Sequence, residues 1–477
     1  MAARREKDTL GEIDVPADAL WGAQTQRAVE NYPISGYKPF PAFVRAMARV
    51  KRAGALANAE AGRLEPKRRD AIVAACDEIL AGKHMDQFVV DVFHSGAGVS
   101  FHMNANEVIA NRAIEILGGN RGEYEICHPN DHVNFGQSTN DVFPTAMRLA
   151  TLLLFDKLID SVKALQQSFL KKGKAFDAII KSGRTHMMDA VPIRLGQEFS
   201  AYATVMRRCA VMLEQAQEFL SEVGLGGSAV GTGVNTHPKY QKLVVKYLSK
   251  ISGRALKPAG DLRFAMQSNL AMSIASAGMR NLALELIRIT NDLRLLSSGP
   301  NTGLAEIVLP SLQPGSSIMP GKINPVMAEL TAMVGFQAVG ADIATAMAVQ
   351  AGQLELNVMM PAMAWNVLHS AEILKNTIYV LATKCVDGIE ANVDRCRHYA
   401  NATIAIAAAL NPYIGYAAAA EIAKESIKTG RTVTELALDR KLIDEKTLRK
   451  ILDPMRMTEP AAPLEKTRRK AKKNRAK

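Results

Sequence analysis

A loop rich in glycine and proline carries the side chains best suited to acid–base chemistry on an anionic substrate. Residues 315–325 contain Ser316 and Ser317, followed by Lys322 and Asn324. An ammonium and an amide at this spacing can hold a carboxylate by charge and by hydrogen bonding. A serine hydroxyl becomes a useful base only when nearby donors and cations stabilise its alkoxide. The loop therefore offers a candidate base together with the groups that such a base needs.

Two further segments are dense in short hydrogen-bonding side chains. Residues 128–141 include His128, Asn130 and Asp131, and then Ser138, Thr139, Asn140 and Asp141; residues 183–186 end in Thr185 and His186. Asn, Asp, Ser and Thr also favour turns and helix N-termini. Ser138, Thr139 or Asp141 therefore has an alternative role, which is to cap the helix that follows.

We expect no metal ion and no cofactor at these segments. His128 and His132 are four residues apart, but Pro129 and Asn130 favour a turn, and no third ligand is evident. The sequence has no His-Glu-x-x-His, Walker A or Gly-x-Ser-x-Gly motif. Residues 224–229 match a relaxed dinucleotide-binding pattern, but they follow a helical segment where that pattern requires a strand.

The elements that must position these segments are predicted to be helices. Residues 268–297 repeat apolar side chains at steps of three and four without proline, and long helices are also expected over 146–180 and 196–223. Loops are expected over 94–106, 128–144, 224–238 and 297–325, with a further break near Asn411 and Pro412. The pattern favours an all-α fold built around a bundle of long helices.

Composition limits the class of protein. The chain has 477 residues, 48% of them hydrophobic and 22% charged, which is typical of a globular protein. Eight of the twelve net positive charges lie in residues 466–477, a tail expected to be disordered. Because the tail has no aromatic residue, nucleic-acid binding is not favoured. Five scattered cysteines and the absence of a signal or spanning segment favour a reduced, cytoplasmic protein without a membrane partner.

Taken together, the three segments resemble the signatures of the fumarase/aspartase superfamily, whose hallmark is a GSSxMPxKxNP loop. The resemblance extends from Leu10 to Gly415, nearly the whole chain apart from the tail. It implies an α-helical homotetramer in which four subunits share a central bundle and three subunits form each active site. It also implies an N-terminal domain over 1–138, a bundle domain over 139–395, a small C-terminal domain over 396–465 and the tail over 466–477.

The resemblance assigns a role to each candidate residue in an elimination that gives fumarate, a small dicarboxylate. Ser316 is the implied general base, and His186, paired with Glu329, is the implied group that positions the leaving group. The implied substrate-binding residues are Val99, Ser100, Ser138, Thr139, Asn140, Thr185, Ser317, Lys322 and Asn324. The residues of a candidate second anion site are His128, Asn130 and Asp131.

The leaving group is either ammonia or water. Thr139 and Val326 resemble the ammonia-eliminating members, whereas residues 14–27 and 128–131 look equally like the hydratases. We favour ammonia elimination from L-aspartate, with hydration of fumarate as the alternative.

One departure from the family pattern concerns substrate binding. The family normally has threonine at position 99 and asparagine at position 102, where this chain has Val99 and His102. Valine cannot donate the hydrogen bond that threonine gives to a substrate carboxylate. Three explanations are open. Ser100 or His102 supplies the missing hydrogen bond, the substrate differs at the end that position 99 would contact, or Val99 is a tolerated packing residue.

A third function, a scaffold or polyanion-binding protein with a decayed site, is also considered. It is disfavoured because the predicted site residues are all present, namely Ser316, Lys322, Asn324, His186 and Glu329.

Overall fold

The computed structural model describes residues 3–460 and residue 462, and this part of the chain is mostly helical. The predicted all-α class is confirmed. The α-helices are α1 (Ala23–Asn31), α2 (Pro41–Glu60), α3 (Pro66–Leu80), α4 (Val99–Ile116), α5 (Thr139–Ala175), α6 (Leu195–Leu220), α7 (Tyr240–Ser252), α8 (Leu262–Gln267), α9 (Leu270–Leu296), α10 (Val326–Gln350), α11 (Met360–Lys384), α12 (Val393–Ala402), α13 (Asn411–Ile414), α14 (Tyr416–Thr429), α15 (Val433–Asp439) and α16 (Glu445–Ile451). Short 3₁₀ or π turns cover Met85–Gln87, Gly96–Gly98, Pro129–Val133, Val386–Gly388, Ile404–Leu410 and Pro454–Thr458.

Short strands pair into four two-stranded sheets in the described chain. The strands are β1 (Ala3–Asp8), β2 (Gly11–Pro16), β3 (Ile180–Thr185), β4 (Met188–Arg194), β5 (Glu222–Val223), β6 (Lys257–Pro258), β7 (Ile307–Val308) and β8 (Glu390–Ala391). The pairs are β1 with β2, β3 with β4, β5 with β6 and β7 with β8, and only the β5–β6 pair is parallel.

The long helices lie close to their predicted positions. The expected helix over 268–297 is α9, and those over 146–180 and 196–223 correspond to α5 and α6. The expected loop over 94–106 is wrong from Val99 onward, because α4 begins there. Phe101, Ala105 and Val108 on that helix are fully buried, and this apolar face stabilises it against the core. The break expected near Asn411 and Pro412 falls between the 3₁₀ turn ending at Leu410 and α14; the short helix α13 begins at Asn411 itself.

The chain packs into two compact units, each built from three separate stretches. The first unit contains residues 3–163, 208–287 and 330–379; the second contains residues 164–207, 288–329 and 380–460. The division into domains at 138 and 395 therefore stays a prediction. The predicted tail, 466–477, lies outside the described residues.

Aromatic side chains organise the core of each unit. In the first unit, Phe43 stacks on Phe101 with ring centroids 4.7 Å apart, and it meets Phe143 edge-on with ring centroids 5.0 Å apart. In the second unit, Phe199 contacts Phe176 edge-on at 5.3 Å and Tyr202 at 5.7 Å. Ring pairs at these separations contribute packing energy beyond the burial of their area.

Two helices of the described chain, α9 and α10, are long and apolar enough to cross a bilayer by length and composition alone. The core helices of many proteins without membrane segments pass the same test. All five cysteines are buried and free.

Candidate active site

Ser316 lies in a folded loop of the second unit, and its hydroxyl oxygen accepts two backbone hydrogen bonds. The N–H of Met319 donates to Ser316 Oγ at 2.8 Å and that of Ile318 at 3.2 Å. Donors aimed at one oxygen stabilise negative charge on it, as in an oxyanion hole. The loop therefore gives this hydroxyl the environment that a serine base requires.

The rest of the loop is closed by its own polar groups. Gly315 N–H donates to the carbonyl of Lys322 at 2.8 Å, and the Asn324 amide donates to the carbonyl of Gly315 at 2.6 Å. Ser317 and Lys322 are exposed, and within residues 3–460 Lys322 forms no ion pair. Its ammonium is thus available to an anionic ligand.

Thr185 and His186 stand at the tip of a β-hairpin in the second unit. Thr185 pairs with Met188, so the turn consists of His186 and Met187, with φ of +56° and +63°. This geometry is a two-residue turn with both φ values positive. The tip is exposed, and it projects both predicted side chains away from the core. No hydrogen bond or ion pair joins His186 to Glu329 among the described residues.

A buried ion cluster anchors the base of this hairpin. Glu306 is fully buried and accepts from Arg184 at 2.8 Å, while Lys181 Nζ lies 3.1 Å from the same carboxylate. Lys181 also pairs with Glu198 at 2.8 Å, and burial raises the pKa of Glu198. Because Arg184 directly precedes Thr185, the cluster fixes the strand that presents the tip.

In the first unit, Ser138 caps α5, as its alternative role predicted. Ser138 Oγ accepts from Asn140 N–H at 3.2 Å, and Asp141 accepts from Ser138 N–H at 2.9 Å. This is a reciprocal cap of the kind that begins many helices. The hydroxyl proton of Ser138 remains free to donate to a ligand, so the two roles are compatible.

Residues 224–229, the glycine-rich segment that does not fit a dinucleotide site, form hydrogen bonds to the first turn of α5. The N–H groups of Gly226 and Ser228 donate to Asp141 Oδ2 at 2.9 and 3.1 Å, and Asn140 donates to the carbonyl of Ala229 at 2.8 Å. Burial raises the pKa of Asp141 to about 6, even though these hydrogen bonds favour its charged form. The segment thus holds the start of α5 in place.

Thr139 contacts a buried pair that the sequence analysis did not identify. His102 Nδ1 lies 2.7 Å from Thr139 Oγ1, and His102 Nε2 lies 2.6 Å from Lys51 Nζ. Lys51 and His102 are almost completely inaccessible to solvent. A lysine within the apolar stripe of α2, between Met47 and Ala55, was the sequence signal for this pair.

Val99 is the first residue of α4 and is 43% exposed, so its side chain is accessible to a ligand. The turn before it is tightly constrained: Gly98 has a φ of +91°, and a Cβ at that position would lie 2.1 Å from the ring of Phe143. Ser100 is buried, and its hydroxyl lies 2.8 Å from that of Ser95. Val99 is therefore held rigidly at the helix terminus.

The candidate second anion site is a closed turn. His128 Nδ1 accepts from the N–H groups of Asn130 and Asp131 at 3.2 and 3.1 Å. These two backbone donors are therefore already used within the turn, and the His128 ring is half-buried. Among the described residues no group of three or more His, Cys, Asp or Glu side chains is arranged to hold a metal ion.

The predicted residues are divided between the two units. Val99, Ser100, the second anion site and residues 138–140 belong to the first, whereas Thr185, His186, the 315–325 loop and Glu329 belong to the second. Each unit alone therefore holds only part of the predicted set.

Comparisons with known proteins bear on the whole chain. A family described as "Lyase" matches residues 11–340, and one described as "Fumarase C C-terminus" matches residues 406–459. The chain is 50% identical over 457 residues to an aspartate ammonia-lyase of Bacillus subtilis (strain 168), with 96% of each chain covered. It is 49% identical over 459 residues to a class II fumarate hydratase of Halobacterium salinarum, with 95% of this chain and 97% of the relative covered. The crystal structure of a fumarate lyase:delta crystallin from Brucella melitensis superposes with a TM-score of 0.93 at 50% identity, covering 96% of this chain and 100% of that one.

Proposed function

The chain belongs to the fumarase/aspartase family of lyases, and on that premise we propose that it removes ammonia from L-aspartate to give fumarate. The observation that carries the proposal is the environment of Ser316. Its oxygen accepts two backbone N–H groups in a loop that also presents the exposed ammonium of Lys322.

In the proposed reaction Ser316, as its alkoxide, removes a proton from C3 of aspartate, next to the β-carboxylate, and becomes the neutral hydroxyl. The electrons left on C3 delocalise into that carboxylate and form a dianion, which neighbouring donors stabilise, Ser317 among them. Lys322 and Asn324 hold the other carboxylate. The dianion then collapses to the C2–C3 double bond, and ammonia leaves C2 with the electron pair of the C–N bond.

His186 and Glu329 belong to the same proposal. Within one chain no hydrogen bond or ion pair joins these two described residues. We therefore propose that the pair forms between subunits and that the rest of the site is likewise assembled from several subunits. Ser138, Thr139, Asn140 and Thr185 complete the substrate contacts from their helix terminus and hairpin tip.

An exposed apolar stripe on α10 supports assembly into a homotetramer. Met333, Phe336, Ile343 and Met347 are all more than half exposed, and a Cβ on Gly340 would meet open space. These five positions recur at steps of three and four, the spacing of a coiled-coil seam. We propose that copies of the same chain cover this stripe, which also explains the apolar composition of α10 without a membrane.

Light scattering coupled to size exclusion tests the assembly. Four chains of 51.7 kDa should give about 207 kDa. Ile343→Glu should dissociate the tetramer and abolish activity, whereas Lys242→Glu, an exposed charge change on α7, should leave the mass unchanged. A monomeric wild type that still makes fumarate would contradict the shared site.

The reaction itself is tested by ultraviolet detection of fumarate from L-aspartate and from L-malate offered separately. Fumarate from aspartate alone supports the proposal. Fumarate from malate alone favours the hydratase, the second candidate, which the 49% identity to the Halobacterium salinarum enzyme keeps open. Free, buried thiols in all five cysteines support the proposal that the enzyme works in the cytoplasm.

A further inference from the structure

Lys51 is fully buried, and the three hydrogens of its ammonium have three acceptors. Lys51 Nζ donates to Asn134 Oδ1 at 2.8 Å and to Gln137 Oε1 at 3.0 Å, and its third contact is His102 Nε2 at 2.6 Å. The amide nitrogens of Asn134 and Gln137 donate to backbone carbonyls, which turns their oxygens toward the lysine. Within the described residues no carboxylate forms an ion pair with Lys51.

This arrangement determines which nitrogen of His102 carries the proton. Because the ammonium occupies Nε2 as an acceptor, a neutral imidazole must carry its proton on Nδ1. Burial and the neighbouring ammonium both lower the pKa of His102, so the ring is neutral. Its Nδ1–H then donates to Thr139 Oγ1 at 2.7 Å.

Because the Thr139 hydroxyl oxygen accepts a hydrogen bond from His102, the hydroxyl proton is free to be donated to another group. The proton of Thr139 is therefore directed away from His102, as a donor to whatever binds at the start of α5. This donor is of the kind that Val99 cannot supply. We propose that Lys51 and His102 are positioning residues that orient the Thr139 hydroxyl as a hydrogen-bond donor to a substrate carboxylate.

The proposal rests on the proposed function of Thr139 as a substrate contact. It also implies that the hydrogen bonds from Lys51 through His102 to Thr139, here called the relay, can reverse their direction. If Lys51 loses its proton, it keeps two N–H donors for the amides and turns a lone pair to His102. The imidazole proton then moves to Nε2, Nδ1 accepts from Thr139, and the hydroxyl can no longer donate to a carboxylate. Binding of a dicarboxylate should therefore weaken as Lys51 deprotonates.

The surroundings of Lys51 set the pH at which it loses its proton, and this pH lies near neutrality. Burial lowers the pKa of Lys51 to about 7, opposed by the charge of Asp141 on α5. Cys76 on α3 also faces Lys51, and burial raises the pKa of its thiol, so it stays neutral. Asp141, whose pKa burial raises to about 6, also changes its charge in this range.

The test is calorimetric binding of succinate, a dicarboxylate without a leaving group, to the full-length protein. For the wild type we expect the affinity to fall as the pH rises from 6 to 9. His102→Phe, which removes both ring nitrogens, should weaken binding about 10- to 100-fold at pH 6. His102→Asn, whose amide again supplies one acceptor and one donor, should restore most of that loss.

Controls separate this proposal from the proposed function. Thermal midpoint and oligomer mass are measured for each variant, and the wild-type pH profile needs no variant at all. If the wild type makes fumarate and binds succinate equally from pH 6 to 9, the relay is wrong and the function stands. Equal affinity in His102→Phe and the wild type would also overturn the relay. A wild type that neither binds succinate nor makes fumarate would overturn both.

Discussion

Replacing Glu306 with alanine is the substitution expected to destabilise the second unit most. Its fully buried carboxylate faces two cations, Arg184 at 2.8 Å and Lys181 at 3.1 Å. Lys181 is also buried and would keep only Glu198 as a partner, while Arg184 would lose its ion pair altogether. The substitution therefore leaves Arg184, whose side chain is 15% exposed, without a counter-charge and leaves the buried Lys181 with one carboxylate in place of two.

The size of the effect follows from that burial. Removing one partner of a buried ion pair costs about 3–5 kcal/mol in the free energy of unfolding, because the remaining charge stays desolvated. For a unit of roughly 200 residues, 1 kcal/mol corresponds to about 2–4 °C in the thermal midpoint. The midpoint of Glu306→Ala should thus fall by about 6–20 °C.

Differential scanning calorimetry of the full-length variants measures this shift. Glu421→Ala is the matched control, since Glu421 is exposed and forms no ion pair within residues 3–460. Because Arg184 precedes the hairpin tip, Glu306→Ala should also raise the KM for aspartate at temperatures where it is folded. A midpoint within about 2 °C of the control would refute the account of the cluster.

Four other perturbations have defined outcomes. Ser316→Ala should lower kcat by about 100- to 10,000-fold with an unchanged oligomer mass, since it removes the general base; near-normal turnover in a steady-state assay would exclude that role. Val99→Thr adds a donor to an exposed side chain at the terminus of α4, so the KM for aspartate should fall by about 10-fold or more; an unchanged KM would place the carboxylate elsewhere. Gly98→Ala should lower the thermal midpoint more than Gly118→Ala, because both have positive φ but only Gly98 has an aromatic ring where the Cβ would go. Lys51 binds a proton with a pKa of about 7 when folded and 10.5 when unfolded. The unfolded state therefore holds more protons between those values, so the unfolding free energy should rise with pH from 7 to 10.5, and chemical denaturation of Lys51→Met should lack this rise.

Local patterns carried much of the information about the helices and the catalytic loop. Glycine and proline identified the 315–325 loop, and apolar periodicity identified α9, because both signals act over a few residues. The β3–β4 hairpin was missed, since its strands lack a simple alternation of apolar and polar residues. Long-range contacts were missed for a different reason. Lys51 meets His102 and Gln137, residues 51 and 86 positions away, so only the folded chain brings them together.

Competition between ammonia and water for the same carbon tests the central claim most directly. Fumarate is incubated with the protein in water containing ¹⁵N-ammonium, and the products are followed by nuclear magnetic resonance. We expect ¹⁵N-labelled aspartate without malate, and no product with Ser316→Ala. Malate formed in place of aspartate would contradict the central claim.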